Sequence, residues 1–340
     1  MARLIQNGRH VIVSSDVKSE WTEMALALGG QVIPIGPGSG YTINPLDEGV
    51  RPTHMRPEQW RQLVISRREL MLKSLCAVLR PDVPLSTRER VCLGQVVVAL
   101  ADGLIEPTLT AVEQLLRQPP ESWPQDLHDP ARNLALILGL LVHEGSLSGM
   151  FHTYTAEPLN PAAPMVVVDT SRLHGADPEP RQIAAAVTSA WIDATLRSQD
   201  GRYRIVLSEE GWDELRNPAQ AQAMDERLRM TGHWRCSNWL IFHELADINQ
   251  FGEAGSAHRQ QVAGIITKTP TKILFRQSPQ AMEMLDEFVN VTSVERDNLT
   301  TLDKGIGMWH IGESTPIAVQ AIVGPGLYQL VNTDAGRYGN

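Results

Sequence analysis

Short apolar runs alternate with helical segments along much of this chain, and that alternation sets the narrowest limit on its fold. From Met165 onward the runs are 165–168, 204–208, 238–243 and 271–275. Helical patterns fall between and after them, over 181–197, 210–230, 257–266, 281–288 and 293–302. Strands apolar at nearly every position need cover on both faces, so the pattern predicts a largely parallel sheet with helices on either side. Two last strands, 307–311 and 317–322, are expected to form an edge hairpin. The beginning has the same grammar: a strand at 10–14, a helix at 18–28 stopped by Gly29-Gly30, and a strand at 31–35.

Between these two regions the period changes. From about Met55 to Met150 helical spacing dominates, with starts signalled by Arg56-Pro57-Glu58, Ser86-Thr87-Arg88-Glu89 and Glu106-Pro107. The run 134–142 is apolar enough to be the buried helix of this segment. The chain therefore divides into the start of an α/β core at 1–54, an all-helical inserted subdomain at 55–150, and the rest of the core with its C-terminal edge strands at 151–340.

With 340 residues and a formal charge of −9, the surface is not basic all over, so any nucleic-acid contact requires a local patch or an assembled pore. Cys76, Cys92 and Cys236 are odd in number and widely spaced, which fits neither a disulfide framework nor a zinc cluster and suits a reducing, cytoplasmic setting. The apolar run 134–142 is far below the ~18 residues a membrane span requires, so no integral membrane segment is expected. No Gly-x-Ser-x-Gly elbow is present.

Open parallel sheets place ligands at the carboxyl ends of their strands, and four features fall there. Asp16, Lys18 and Glu20 follow the first strand; as a group they are either ligand-facing or acids complementing a helix dipole. Glu209 and Glu210 end the apolar strand 204–208, where in nucleotide-hydrolysing motors one acid holds Mg²⁺ through its waters and one polarises the attacking water. His243 closes the next strand, followed by Glu244, in a place where a side chain could donate a hydrogen bond to a γ-phosphate. Arg276 and Gln277 follow the strand 271–275, as a phosphate-facing pair or as surface groups. The loop that should cradle a triphosphate, Gly-x-x-x-x-Gly-Lys-Ser/Thr, does not occur in the 340 residues. Gly36-Pro37-Gly38-Ser39-Gly40 has no lysine and no following helix, and reads as a turn.

Taken in order, several segments resemble the C-terminal motor domain of the large type IV secretion and conjugative transfer ATPases, relatives of the FtsK and HerA motors. Asp16-Val17-Lys18-Ser19-Glu20-Trp21 is similar to that family's Asp-Pro-Lys-Gly-Glu-Tyr. Leu28-Gly29-Gly30 and Asn44-Pro45-Leu46-Asp47 resemble two further signatures. Gly145-Ser146-Leu147-Ser148-Gly149-Met150-Phe151 and Pro164-Met165-Val166-Val167-Val168-Asp169 are similar to the segment returning from the helical insert, and Glu210-Gly211-Trp212 to the one after the acidic strand. The likeness spans about residues 9–334.

The resemblance implies an α/β fold of RecA-like, P-loop-NTPase type with ATP and Mg²⁺ as cofactors. It also implies a hexamer acting with secretion-channel and coupling proteins, with DNA or protein as the moved substrate, peripheral at the inner face of the cell membrane. By position, Glu209 takes the magnesium-side role through a metal-bound water, Glu210 the catalytic base, His243 the γ-phosphate sensor, and Arg276 with Gln277 a nucleotide-facing pair. Arg229 or Arg235 would be an arginine finger in trans. Departures are Glu209 where the family has Asp, Ser208 for an apolar residue, Ser19 for glycine, and the phosphate loop. Two expectations follow: a shortened frame of a hydrolysing motor whose phosphate loop lies upstream, or a non-hydrolysing structural relative within a secretion complex.

Overall fold

The computed structural model describes residues 1–81, 83–143, 147–173, 175, 178–243, 245–253, 255–285 and 288–331. Gly145, Ser146 and Glu244, positions 286–287 of the helix expected at 281–288, and the end of the resembling stretch beyond 331 lie outside the described residues. In chain order the elements are α1 (Ala2–Gln6), β1 (Arg9–Asp16), α2 (Thr22–Ala27), β2 (Gln31–Pro34), α3 (Pro57–Leu79), α4 (Thr87–Ala101), α5 (Leu109–Arg117) and α6 (His128–Val142). They continue with β3 (Met165–Asp169), α7 (Pro178–Arg197), β4 (Tyr203–Ser208), α8 (Gly211–Leu215), α9 (Pro218–Arg229) and β5 (Cys236–Leu240). Last come α10 (Ala257–Lys268), β6 (Thr271–Leu274), α11 (Pro279–Leu285), α12 (Ser293–Thr301), β7 (Ile306–Ile311), β8 (Ile317–Gln320) and α13 (Pro325–Val331). The chain forms two compact units, one of residues 1–220 and 226–241, the other of 221–225 and 242–340.

The first unit holds a five-stranded sheet in the order β2-β3-β1-β4-β5, parallel at every pairing. The apolar runs put their strands where both faces are covered: Val11, Ile12, Val13, Val166, Val167, Ile205, Val206 and Leu207 are all buried. Ile12 and Val206 pack with Ile192 and Leu196 of α7. A larger core joins Ile33, Val166 and Val168 to Leu72 and Leu75 of α3, Leu93 and Val96 of α4, Val112 of α5 and Leu134 and Leu138 of α6. The helical segment therefore shares a core with the sheet. Its helices begin where local chemistry indicated: Pro57 opens α3, and Ser86 and Glu89 close a capping box at the start of α4.

Local structure departs from the sequence pattern in several places, three of which bear on the site. α1 stands before β1, where the pattern signals no element. β1 reaches Asp16, and α2 begins only at Thr22, because residues 17–21 form a turn in which Ser19 takes a φ of 57°. Gly30 follows α2 closely enough to β3 that an added Cβ would lie 2.4 Å from the Met165 carbonyl oxygen.

The third departure is the larger correction. β6 does not extend the parallel sheet; it pairs antiparallel with β7 in a separate three-stranded sheet, β6-β7-β8, in the second unit. The β7–β8 pairing is the expected hairpin. β6 alternates exposed and half-buried positions, with Lys272 second in its run, so it lacks the two-sided burial of β1, β3 and β4. In the same unit the Thr292–Glu295 capping box starts α12, and Glu295 meets His310 of β7 at 3.4 Å.

Candidate active site at the carboxyl edge of the parallel sheet

β1, β3 and β4 run parallel, so their last residues share one edge of the sheet. The register pairs Asp16 with Asp169 and Ser15 with Ser208, after an irregularity beyond Val13 on both sides of β1. Small hydroxyls stitch the strand ends together. Ser14 donates to the Ser208 hydroxyl at 3.2 Å and to the Leu207 carbonyl at 3.3 Å, and Ser15 meets Thr170 at 2.9 Å. The Ser208 departure noted in the sequence thus has a structural use, as an acceptor for Ser14.

Asp16 is completely buried. Its two carboxylate oxygens accept the backbone N–H groups of Glu20 and Trp21, each at 2.9 Å, which holds the 17–21 turn closed. Burial raises its pKa, the two amides oppose that, and Asp169 and Glu20 push it up further. Asp169 was not among the candidates, yet it sits at the same edge. It accepts the Ser19 hydroxyl at 3.0 Å and the Ser171 N–H at 2.9 Å. Its signal was available: it is the charged residue ending the apolar run Met165-Val166-Val167-Val168.

Glu209 follows β4 and is only 7% exposed. One carboxyl oxygen, Oε2, is buried without a hydrogen-bond partner. Burial, then the charges of Asp16 and Glu20, push its pKa up to about 8, with Lys18 opposing and Glu210 adding a smaller rise. Glu210 is the residue before α8, half-buried, with φ −107° and ψ 70°. The turn is fixed by backbone bonds: Ile241 N–H donates to the Ser208 carbonyl at 2.9 Å, and Gly211 N–H to the Ile241 carbonyl at 3.1 Å. Asp16, Lys18, Glu20, Glu209 and Glu210 are therefore one electrostatic cluster.

The remaining candidates stand on other elements. His243 is exposed, three residues past the end of β5, which stops at Leu240, and it belongs to the second unit. Arg276 and Gln277 follow β6, so the expectation that they end a strand of the same parallel sheet does not hold. The Gln277 side chain donates to the Phe275 carbonyl at 3.1 Å, and its N–H to the Leu299 carbonyl at 3.0 Å. Arg235 precedes β5, and so stands at the amino edge of the sheet, a strand length of ~17 Å from the acids. It is exposed, with φ 51°. Arg229 is exposed in the last turn of α9. In one subunit neither Arg229 nor Arg235 belongs to the acidic cluster.

The acidic edge brings together the exposed Lys18, the half-buried Glu20 and Glu210, and the buried Asp16 and Glu209. Among the described residues this edge has no glycine-rich phosphate cradle, and no group of three His, Cys, Asp or Glu side chains is arranged to hold a metal directly. Cys76, Cys92 and Cys236 are buried free thiols, and burial pushes Cys76 up to about 12. No described helix is long and apolar enough to cross a membrane.

No protein-family model and no curated protein sequence matches the chain. Solved structures do. VirB4 of Thermoanaerobacter pseudethanolicus superposes with a TM-score of 0.76 at 20% identity, over 96% of this chain and 85% of that one. The bacterial conjugative coupling protein TrwB, as its ΔN70 form, gives 0.55 at 8% identity over 94% and 79%. TrwB in complex with ADP and Mg²⁺ gives 0.51 at 10% identity over 95% and 87%. By fold, this chain stands with VirB4 and the coupling protein TrwB, on the RecA-like α/β architecture.

Proposed function

We propose that the chain is the motor core of a type IV secretion or conjugation ATPase, coupling ATP binding and hydrolysis to substrate transfer or to channel assembly. The observation that carries this reading is the Glu209–Glu210 turn: an adjacent acid pair at the carboxyl end of β4, one member buried among carboxylates. In this reading Glu210 accepts the proton of the attacking water, and Glu209 orders water on the magnesium side. Lys18 offers a cation to phosphate, while Asp16 acts by closing the turn that carries Lys18 and Glu20. His243 serves as γ-phosphate sensor, Arg276 and Gln277 face the nucleotide, and Arg229 or Arg235 acts on a neighbouring subunit of a hexamer. ATP, when bound, would supply the electrophilic γ-phosphorus and the leaving group, and Mg²⁺ would offset the phosphate charge.

The phosphate cradle is the missing component. β5 has no partner on its outer edge among the described residues. An unpaired strand edge can accept a further strand, and in this reading a phosphate-loop strand pairs there. Channel and coupling proteins are the partners, DNA or protein the cargo, and the cytoplasmic face of the membrane the site of action.

Hydrolysis of MgATP by the chain extended with a phosphate-loop segment, abolished in Glu210→Gln, is the expected result. A second reading, a non-hydrolysing structural relative, is favoured by the absent loop and by Asp16, whose carboxylate is already committed to backbone amides. A folded, loop-extended chain that shows no nucleotide binding in calorimetry at millimolar MgATP would establish this second reading and overturn the first.

A further inference from the structure

Two carboxylates on neighbouring strands pin the 17–21 turn, and they hold different parts of it. The register sets Asp16 of β1 beside Asp169 of β3. Asp16 takes the amides of Glu20 and Trp21, whereas Asp169 Oδ2 takes the Ser19 hydroxyl at 3.0 Å. Asp169 is itself fixed: its Oδ1 accepts the Ser171 N–H at 2.9 Å, and its carbonyl accepts the Ile35 N–H at 2.8 Å. Ser19 Oγ also lies 3.1 Å from Oγ1 of Thr22, the first residue of α2. A hydroxyl carries one proton. With the Ser19 proton given to Asp169, Thr22 is the donor to Ser19, so two bonds in series join the start of α2 to β3 through the turn.

Ser19 has a φ of 57°, a left-handed conformation that glycine takes freely and other residues take at a cost. The bond to Asp169 offsets that cost, so the serine and the aspartate work as one device. Lys18, the exposed cation of the carboxyl edge, directly precedes Ser19 in the chain. We infer that Asp169 is a positioning residue: by bonding the Ser19 hydroxyl it fixes the left-handed turn, and so sets where Lys18 stands at the carboxyl edge. That Lys18 meets phosphate rests on the proposed function, but closure of the turn is measurable without nucleotide. Failure of hydrolysis and failure of this inference are therefore separate outcomes.

The test uses the full chain and compares Ser19→Ala, Ser19→Gly, Asp169→Ala and the Asp169→Ala/Ser19→Gly pair. Hydrogen exchange reads the Glu20 and Trp21 amides against peptides of α6, and fluorine NMR of the 5-fluorotryptophan chain reads Trp21, assigned with Trp21→Phe. In Ser19→Ala and in Asp169→Ala the costly φ remains but its anchor is gone. Exchange at Glu20 and Trp21 should then rise about tenfold more than in α6, with a displaced Trp21 signal. Ser19→Gly has no strain to offset and should stay within about twofold of wild type. The pair should return to that level, which a general loss of packing at Asp169 would not do. An unmoved turn in Asp169→Ala, or a pair as loose as Asp169→Ala alone, overturns the inference. If Asp169→Ala does not fold, Ser19→Ala and Ser19→Gly decide: a loosened turn in the first and a closed one in the second support the inference, and equal exchange in both overturns it. In the loop-extended chain, Asp169→Ala should raise KM for MgATP several-fold, and should add nothing once Lys18→Ala is present. An equal rise in both backgrounds overturns action through Lys18.

Discussion

Replacing Glu209 by Gln should change how stability depends on pH, in a direction set by the raised pKa of this carboxyl. In the unfolded chain Glu209 titrates near the ordinary 4.5, and in the fold it titrates at about 8. Below the lower value both states hold the proton and the residue has no differential effect. Between the two, the native state keeps a proton that the unfolded state has released, so stability falls as pH rises. Above about 8 the native carboxylate is ionised beside Asp16 and Glu20, and the full penalty applies. At ~1.4 kcal/mol per unit the ceiling is about 5 kcal/mol; relaxation and water entry bring the working figure to about 3 kcal/mol. Gln at 209 cannot ionise. Glu209→Gln should therefore match wild type at pH 4 and exceed it by about 3 kcal/mol at pH 9. Denaturant unfolding followed by tryptophan fluorescence, at closely spaced pH values from 4 to 9, gives both curves. If they run parallel across that range, Glu209 is not held as a buried protonated acid, and the picture of a crowded carboxylate edge fails.

Two further substitutions probe how the site is supported. Ser86→Ala removes the hydroxyl that accepts Glu89 N–H at 3.2 Å and should cost about 1 kcal/mol, seen as a lower denaturation midpoint with an unchanged slope. Gly30→Ala puts a Cβ 2.4 Å from the Met165 carbonyl and 2.9 Å from that of Ala25; a loss of about 1–3 kcal/mol is expected, and a neutral result would show that β2 and β3 can part freely.

Much of the first unit was readable from local pattern. β1, β3 and β4 are runs of apolar residues whose near-continuity requires two-sided burial. The capping box at Ser86 and the proline at the start of α3 likewise act through their own few residues. Placing Glu209 and Glu210 at a strand's carboxyl end needed no more than that. The turn at 17–21 was less visible, because Asp16 caps it with bonds to amides four and five residues ahead, and the same residues would also suit a helix start. His243 was placed on a strand because Leu240-Ile241-Phe242 continue the apolar run, although pairing with β4 ends at Leu240.

What the amino-acid order fixed by itself was the alternation of strand and helix, the helical insert and the identity of the acids, since each depends on spacing along a few turns or a single strand. Tertiary structure decided which strands share a sheet, and so separated β6 with Arg276 from the strands that carry Asp16 and Glu209. It also decided that Glu209 is buried among carboxylates from another strand, and that Arg227 is matched by acceptors on α7. Strand partners and desolvation are set by residues distant along the chain, so no local pattern contains them.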